Sequence, residues 1–352
     1  MNAVLRLNLD IDTKEISSSL RLKRAVESLK VLYPKFDRIV ILSHRGRPDG
    51  IDKKLSLEPV IAELSSKLRR KITFLDGDPS HRLSQIFMKK GVFALENTRF
   101  LPEENKNSAL LARLYASFGD VFINDDFATA HRTQASNVGI TSFLTSLEGP
   151  IVREELIALQ KVTTQPARPF ALIIGGSKMS DKLSVIQNLL PEVDYVLLGG
   201  GAGNTALKAA GYNVMDSIYE KSLISETEEL ISNPKVFYPA DFRVSKKCIL
   251  DIGPNTEAIF SEIISASKTI VWAGPLGMFE QRAFTRGTES IARAIAATKC
   301  FSVAGGGETT SAIISYGLEN KFSFLSTGGG AMLEFLAGKK LAAFEALRIK
   351  YR

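Results

Sequence analysis

The chain has 352 residues, 45% of them apolar and 24% charged, which fits a folded globular protein and excludes a disordered or low-complexity one. Its 45 Lys and Arg against 38 Asp and Glu leave a net charge of +7, but the cations are scattered, with no aromatic-interleaved basic stripe or zinc-finger spacing, so no nucleic-acid partner is expected. Two distant cysteines, Cys248 and Cys300, make neither a disulfide framework nor a metal cluster, and no apolar run is long enough to span a bilayer.

The opening MNAVLRLNLDID carries early charge and lacks the apolar centre of a secretion leader, so a cytoplasmic location is expected. Arg21 follows three serines at the head of a helical pattern. FDRIVILSH (36–44) reads as a buried strand that ends abruptly in His44, Arg45 and Arg47 around one glycine. LEPVIAELSSKLRR (57–70) is an amphipathic helix whose cationic end suits the negative pole of its dipole. KITFLDG, GVFALEN and GDVFINDD are further strands; Arg99 follows the second, and His131 with Arg132 follows the third. If these strands share one parallel sheet, their carboxyl ends gather these side chains on one rim, where arginine forks suit a phosphorylated carboxylate. His81 reads as a surface residue.

EGPIVREELIALQKV is helical and TTQPARP then breaks it, which places a domain boundary near residue 160. PFALIIGG, VDYVLLGG, KVFYPAD, KTIVWAG, KCFSVAGG and KFSFLSTGG follow as near-continuous apolar strands, alternating with helices such as TESIARAIAAT. The expected fold class is α/β, with two doubly wound parallel-sheet (Rossmann-like) domains joined by a hinge helix. The expected bounds are 1–160 and 161–337, with a helical tail at 338–352 packing back on the first domain.

Four turns in the second half are rich in glycine: IIGGSKMSDK, LLGGGAGNT, SVAGGGETT and LSTGGGAML. Glycines at strand ends let backbone N–H groups approach a phosphate, and four such turns exceed ordinary punctuation. None matches the P-loop pattern. Gly201-x-Gly203-x-x-Ala206 meets a loose dinucleotide fingerprint, with Glu220 at the distance of a ribose-binding acid, but leaves the other turns unexplained. Lys178 and Lys182, four apart, share a face on a helix starting at the turn; the alternative is two solvated surface lysines.

Taken in order, SHRGRPDG, LENTRF, NDDFATAHRTQAS, RPFALIIGGSKMSDKL, LLGGG, DIGPNT, VWAGPLGMFE, GGGETT and STGGGAMLEFLAGK closely resemble the phosphoglycerate kinase family, nearly end to end. The resemblance implies an N-terminal domain for 3-phosphoglycerate or 1,3-bisphosphoglycerate and a C-terminal domain for ADP or ATP with Mg²⁺. It implies substrate binding by Asn8, Asp10, Arg21, His44, Arg47, Arg99 and Arg132, with His131 alongside. Nucleotide binding falls to Gly176, Ser177, Lys182, Gly200, Gly201, Pro275, Glu280, Gly306, Gly307, Glu308 and Thr309. Arg21, Lys178 and Lys182 are the implied catalytic cations, and Glu308 the magnesium carboxylate, directly or through water. Departures from the family pattern are Asn8-Leu9-Asp10 for Asp-x-Asn, Glu308 for Asp, Ala273 for Asn, Phe324 for His and Ala128 for Gly. They remove no arginine and neither lysine, so an active kinase is expected; a weakened relative that binds ligands without efficient turnover is the alternative. A monomer is expected.

Overall fold

The computed structural model describes residues 1–87 and 89–349. The chain forms two compact units: one of Met1–Leu156 and a returning segment from Lys340, the other of Ile157–Lys339. Among the described residues, no helix is long and apolar enough to cross a membrane.

The first unit is built on six parallel strands, β1 (Asn2–Leu7), β2 (Arg38–Leu42), β3 (Ile72–Leu75), β4 (Gly91–Leu95), β5 (Val121–Asp125) and β6 (Thr145–Glu148), in the order β3-β4-β2-β1-β5-β6. Side chains on alternate positions serve opposite faces, as the pleat requires. Leu5, Leu7, Ile39 and Ile41 pack on Leu22, Leu29, Val60 and Leu64 from the helices Leu20–Leu32 and Glu58–Leu68. Val4, Val40, Phe93 and Phe122 pack with Tyr115, Phe118 and Ile140 on the other face. Cover on both sides is why β2 and β5 read as unbroken runs. Ser19 caps the helix Leu20–Leu32, and Arg69, in the left-handed region, ends Glu58–Leu68. β1 and the edge strand β6 were not expected, the first because Arg6 interrupts its apolar run.

The returning segment is less helical than its sequence predicts. It holds one short helix, Ala342–Ala346, anchored by Ala343 N–H to the Ala130 carbonyl and by the Phe127 and Phe344 rings, 5.4 Å apart. Residues 350–352 of the predicted tail helix lie outside the described residues.

The second unit contains β7 (Phe170–Ile174), β8 (Tyr195–Leu198), β9 (Val236–Phe237), β10 (Phe242–Ser245), β11 (Cys248–Ile252), β12 (Thr269–Ala273), β13 (Phe301–Gly305) and β14 (Phe324–Ser326). Six of these form a parallel sheet in the order β14-β13-β12-β7-β8-β9. β9 is shorter than KVFYPAD predicts, because Pro239 has no N–H for a ladder. β10 and β11 form a hairpin that the sequence did not announce, since its turn uses Lys246 and Lys247, both at positive φ, where Asn-Gly is usual. The helix Pro150–Thr164 carries the chain from the first unit into the second.

Candidate active site

In the first unit the carboxyl ends of β4, β2, β1 and β5 are neighbours, so the loops after them share one rim. Arg6, fully buried in β1, organises the ground beneath it. Its guanidinium lies 3.3 Å from Asp126 and 2.9 Å from His44 Nδ1. Guanidinium only donates, so Nδ1 accepts and the imidazole proton belongs on Nε2. Burial, then the charges of Arg6, Arg99, Arg21 and Arg132, hold the His44 pKa well below its ordinary value. His44 is therefore neutral, so of the side chains the sequence gathers on this rim the arginines carry the positive charge. Arg21, Arg99 and Arg132 are thus each near enough to act on His44.

Each neighbour is held by backbone. The Asp10 carboxylate accepts from Gly46 N–H at 2.8 Å, and its second oxygen lies 3.7 Å from His44 Nε2. Asn8 Oδ1 accepts from Asp10 N–H, and Arg21 donates to the Asp10 carbonyl. Arg99 donates to the Gly46 carbonyl at 2.6 Å, and burial among other arginines lowers its pKa to about 10. Arg45 is buried and spends its guanidinium on the carbonyls of Ile11, Lys54 and Ser56. Arg47, by contrast, is exposed on the turn, while His131 and Arg132 are half-buried after β5.

In the second unit the glycines allow contacts that no side chain would permit. Gly176 N–H donates to Pro275 O at 2.7 Å, Gly201 N–H to Gly176 O at 2.8 Å, and Gly200 N–H to Leu276 O at 2.9 Å. A Cβ on Gly201 would lie 2.3 Å from the Ser177 carbonyl oxygen. The turns after β7, β8 and β12 are thereby laced together beside a cavity of about 260 Å³. Gly176, Ser177, Gly200, Gly201, Pro275, Glu280 and Glu308 line it, as do Asn204, Ile218, Pro239 and Leu276. Asn204 and Leu276 fall within the motifs LLGGGAGNT and VWAGPLGMFE but were not singled out, and Ile218 and Pro239 are apolar residues with no chemical signal of their own. Asp251 also lines it, its pKa raised to about 6 by burial.

Gly306 at positive φ opens the helix Gly307–Ser315, with Glu308 in its first turn; Thr309 is buried, and its Oγ1 accepts from Gly274 N–H at 2.8 Å. Lys182 Nζ would lie 3.2 Å from a Cβ on Gly176, and burial lowers its pKa, against the opposing pull of Asp181, Glu308 and Glu220. The helix after β7 begins at Ser180, so Lys178 precedes it and the two lysines do not share a helical face as predicted. Lys178 is exposed. Glu220 accepts from Ser180 N–H at 2.7 Å and from Ser180 Oγ at 2.6 Å, capping that helix. With its carboxylate committed there, the dinucleotide reading loses its ribose acid.

Comparison with known proteins gives one answer. The family model described as phosphoglycerate kinase matches residues 3–339. The chain belongs to the phosphoglycerate kinase family. It is 38% identical to a phosphoglycerate kinase of Francisella tularensis subsp. tularensis over 381 aligned positions, covering 99% of this chain and 95% of the relative. It is 40% identical to that of Pelotomaculum thermopropionicum over 369 positions, covering 97% and 94%. Solved phosphoglycerate kinases from Coxiella burnetii (TM-score 0.84, 34% identity) and Pyrococcus horikoshii OT3 (TM-score 0.88, 30% identity) each align over 99% of this chain and 96% of their own. Phosphoglycerate kinases are phosphotransferases of glycolysis, and the chain is one by family: it moves a phosphoryl group reversibly between 1,3-bisphosphoglycerate and ADP.

Proposed function

We propose that the first unit binds the phosphoglycerate and the second binds ADP or ATP. The observation that carries the first assignment is the convergence of Arg21, Arg99 and Arg132 on neutral His44 above the buried Arg6–Asp126 pair. In this reading Arg47 and the three converging arginines take the substrate's phosphate and carboxylate through bidentate donors. His131 flanks them, and Asn8 and Asp10 receive the hydroxyl end. The laced glycine turns support the second assignment. Gly306 and Gly307 present backbone N–H groups to the nucleotide phosphates, Gly200 and Gly201, whose N–H groups are committed to the turns, leave room for close approach, Glu280 meets the ribose, and Pro275 and Ser177 form walls.

Phosphoryl transfer breaks the bond from phosphorus to the acyl oxygen as a bond to the terminal ADP oxygen forms. Both nucleophiles are already anionic, so no general base is required. Catalysis then rests on placement and charge neutralisation, for which Lys178, Lys182 and Arg21 are the proposed groups. Among the described residues no group of three His, Cys, Asp or Glu side chains could hold a metal. One carboxylate, Glu308, fits Mg²⁺ that arrives on the nucleotide and keeps its waters. Bound there, Mg²⁺ would supply charge neutralisation at the phosphates. The proposed setting is the cytoplasm.

The test is a dehydrogenase-coupled assay with 3-phosphoglycerate and Mg-ATP. Steady NADH oxidation that saturates in both substrates is expected; ligand binding without turnover would overturn the reading.

A further inference from the structure

The cavity assigned to the nucleotide has a largely apolar wall, with Ile218, Pro239, Ile249, Leu250, Leu276 and Met278 in its lining. A flat heterocyclic base suits such a slot, and the few polar atoms facing it decide which base is held. Glu280 and Glu308 are already assigned to the ribose and to the metal on the phosphates. Asp251 is 2% exposed and spends its carboxylate on the N–H groups of Ile252 and Gly287. Cys248 Sγ lies 3.4 Å from the Asp216 carbonyl. Asn204 is different.

Asn204 lines the cavity from the helix Gly200–Ala209, about one turn in from its start, and is 5% exposed. Its Nδ2 donates to the Ile218 carbonyl at 3.2 Å. A carbonyl only accepts, so this contact fixes which way round the carboxamide lies: the amino end is turned to backbone and Oδ1 is left over. The Ile218 segment is itself tied to the helix, Glu220 N–H donating to Thr205 Oγ1 at 3.2 Å. No described residue donates to Asn204 Oδ1, yet it is not among the buried side-chain atoms sealed from water. An oriented acceptor in an apolar wall pairs with a donor and repels another acceptor. Purines differ in that respect at C6, where adenine carries an amino group and hypoxanthine or guanine a carbonyl oxygen. We propose that Asn204 Oδ1 accepts from the 6-amino group of the base and sets a preference for adenine nucleotides over 6-oxopurine nucleotides. This holds on the reading that the cavity takes the nucleotide.

The test compares kcat/KM for ATP, ITP and purine riboside triphosphate, which carries no group at C6, in the coupled assay with saturating 3-phosphoglycerate. ATP should exceed the purine riboside analogue about five-fold, as expected for one neutral hydrogen bond. It should exceed ITP at least about ten-fold, because two acceptors then face each other. In Asn204→Leu, of similar volume, the three should come within about two-fold of one another through a rise in the KM for ATP, with the KM for 3-phosphoglycerate retained. A merely structural role for Asn204 would weaken all three nucleotides together and keep their ratio, and that result would overturn the proposal. So would a wild type that uses ATP and ITP equally. Failure of every nucleotide to saturate the enzyme would overturn the nucleotide reading itself, and this proposal with it. If Asn204→Leu does not fold, wild-type ratios decide: equal use of ATP and the purine riboside analogue would overturn the role of the 6-amino group.

Discussion

The Arg6 guanidinium stands 2.9 Å from Nδ1 of His44, with both side chains buried under the substrate rim. Two groups that would repel as cations are compatible because one of them is kept neutral. Arg6 is fixed by Asp126, so His44 gives way and loses its proton. The rim's positive charge is thus carried by arginines, whose protonation does not change over the physiological range.

A pH dependence follows. The unfolded chain binds a proton at His44 below about pH 6.5, whereas the folded chain does not until far lower. The stabilising contribution is present above that value and is lost as pH falls. Asp125, pushed up to about 6 by burial, acts in the opposite direction: its contribution is lost as pH rises through 6. Comparison of wild type with His44→Gln cancels the Asp125 effect. Urea unfolding at pH 7, 6 and 5 should show wild type losing about 1 kcal/mol per pH unit more than the variant below pH 6.

Arg45 and Arg47 flank the same glycine yet should fail differently. Arg45→Ala removes donors from three carbonyls, that of Ile11 buried and those of Lys54 and Ser56 part-buried, and is expected to cost about 2 kcal/mol of stability, read by denaturant unfolding. Arg47→Ala should leave the melting temperature alone. Its KM for 3-phosphoglycerate should rise roughly ten-fold, with kcat and nucleotide KM within about a factor of two.

The glycine turns make a paired prediction. Gly201→Ala drives a methyl into the Ser177 carbonyl, so it should cost about 1–3 kcal/mol and raise the ATP KM several-fold. Gly307→Ala meets nothing within 4 Å, and stability should stay within about 0.5 kcal/mol. If phosphate approaches backbone there, its ATP KM still rises. Thermal unfolding and steady-state kinetics on the two variants separate packing from ligand contact.

Glu220→Gln removes the charged cap of the helix Ser180–Leu189 and should cost about 1 kcal/mol, checked by thermal denaturation. NADH fluorescence should not change on adding wild-type protein.

Strands such as β2, β7 and β12 were legible because burial on both faces leaves an apolar run that few other elements produce. β1 was not, since Arg6 sits in its middle and only the partners Asp126 and His44, distant in sequence, make that burial tolerable. The β10–β11 hairpin was hidden for a related reason: Lys246 and Lys247 take left-handed conformations that composition does not advertise. At the rim, Arg21, Arg99 and Arg132 could be found by their places after strands or in the first turn of a helix. Their gathering at His44, and the diversion of Arg45 into bracing, depend on side-chain direction. Lys178 and Lys182 were read as helical neighbours because the spacing allows it, but the glycine turn delays the helix to Ser180.

The kcat of Lys178→Ala/Lys182→Ala in the coupled assay, with 3-phosphoglycerate binding measured in parallel, tests most directly whether these lysines serve transfer. The account predicts a fall of at least about a hundred-fold, with 3-phosphoglycerate affinity retained. A double variant that turns over at the wild-type rate would contradict it.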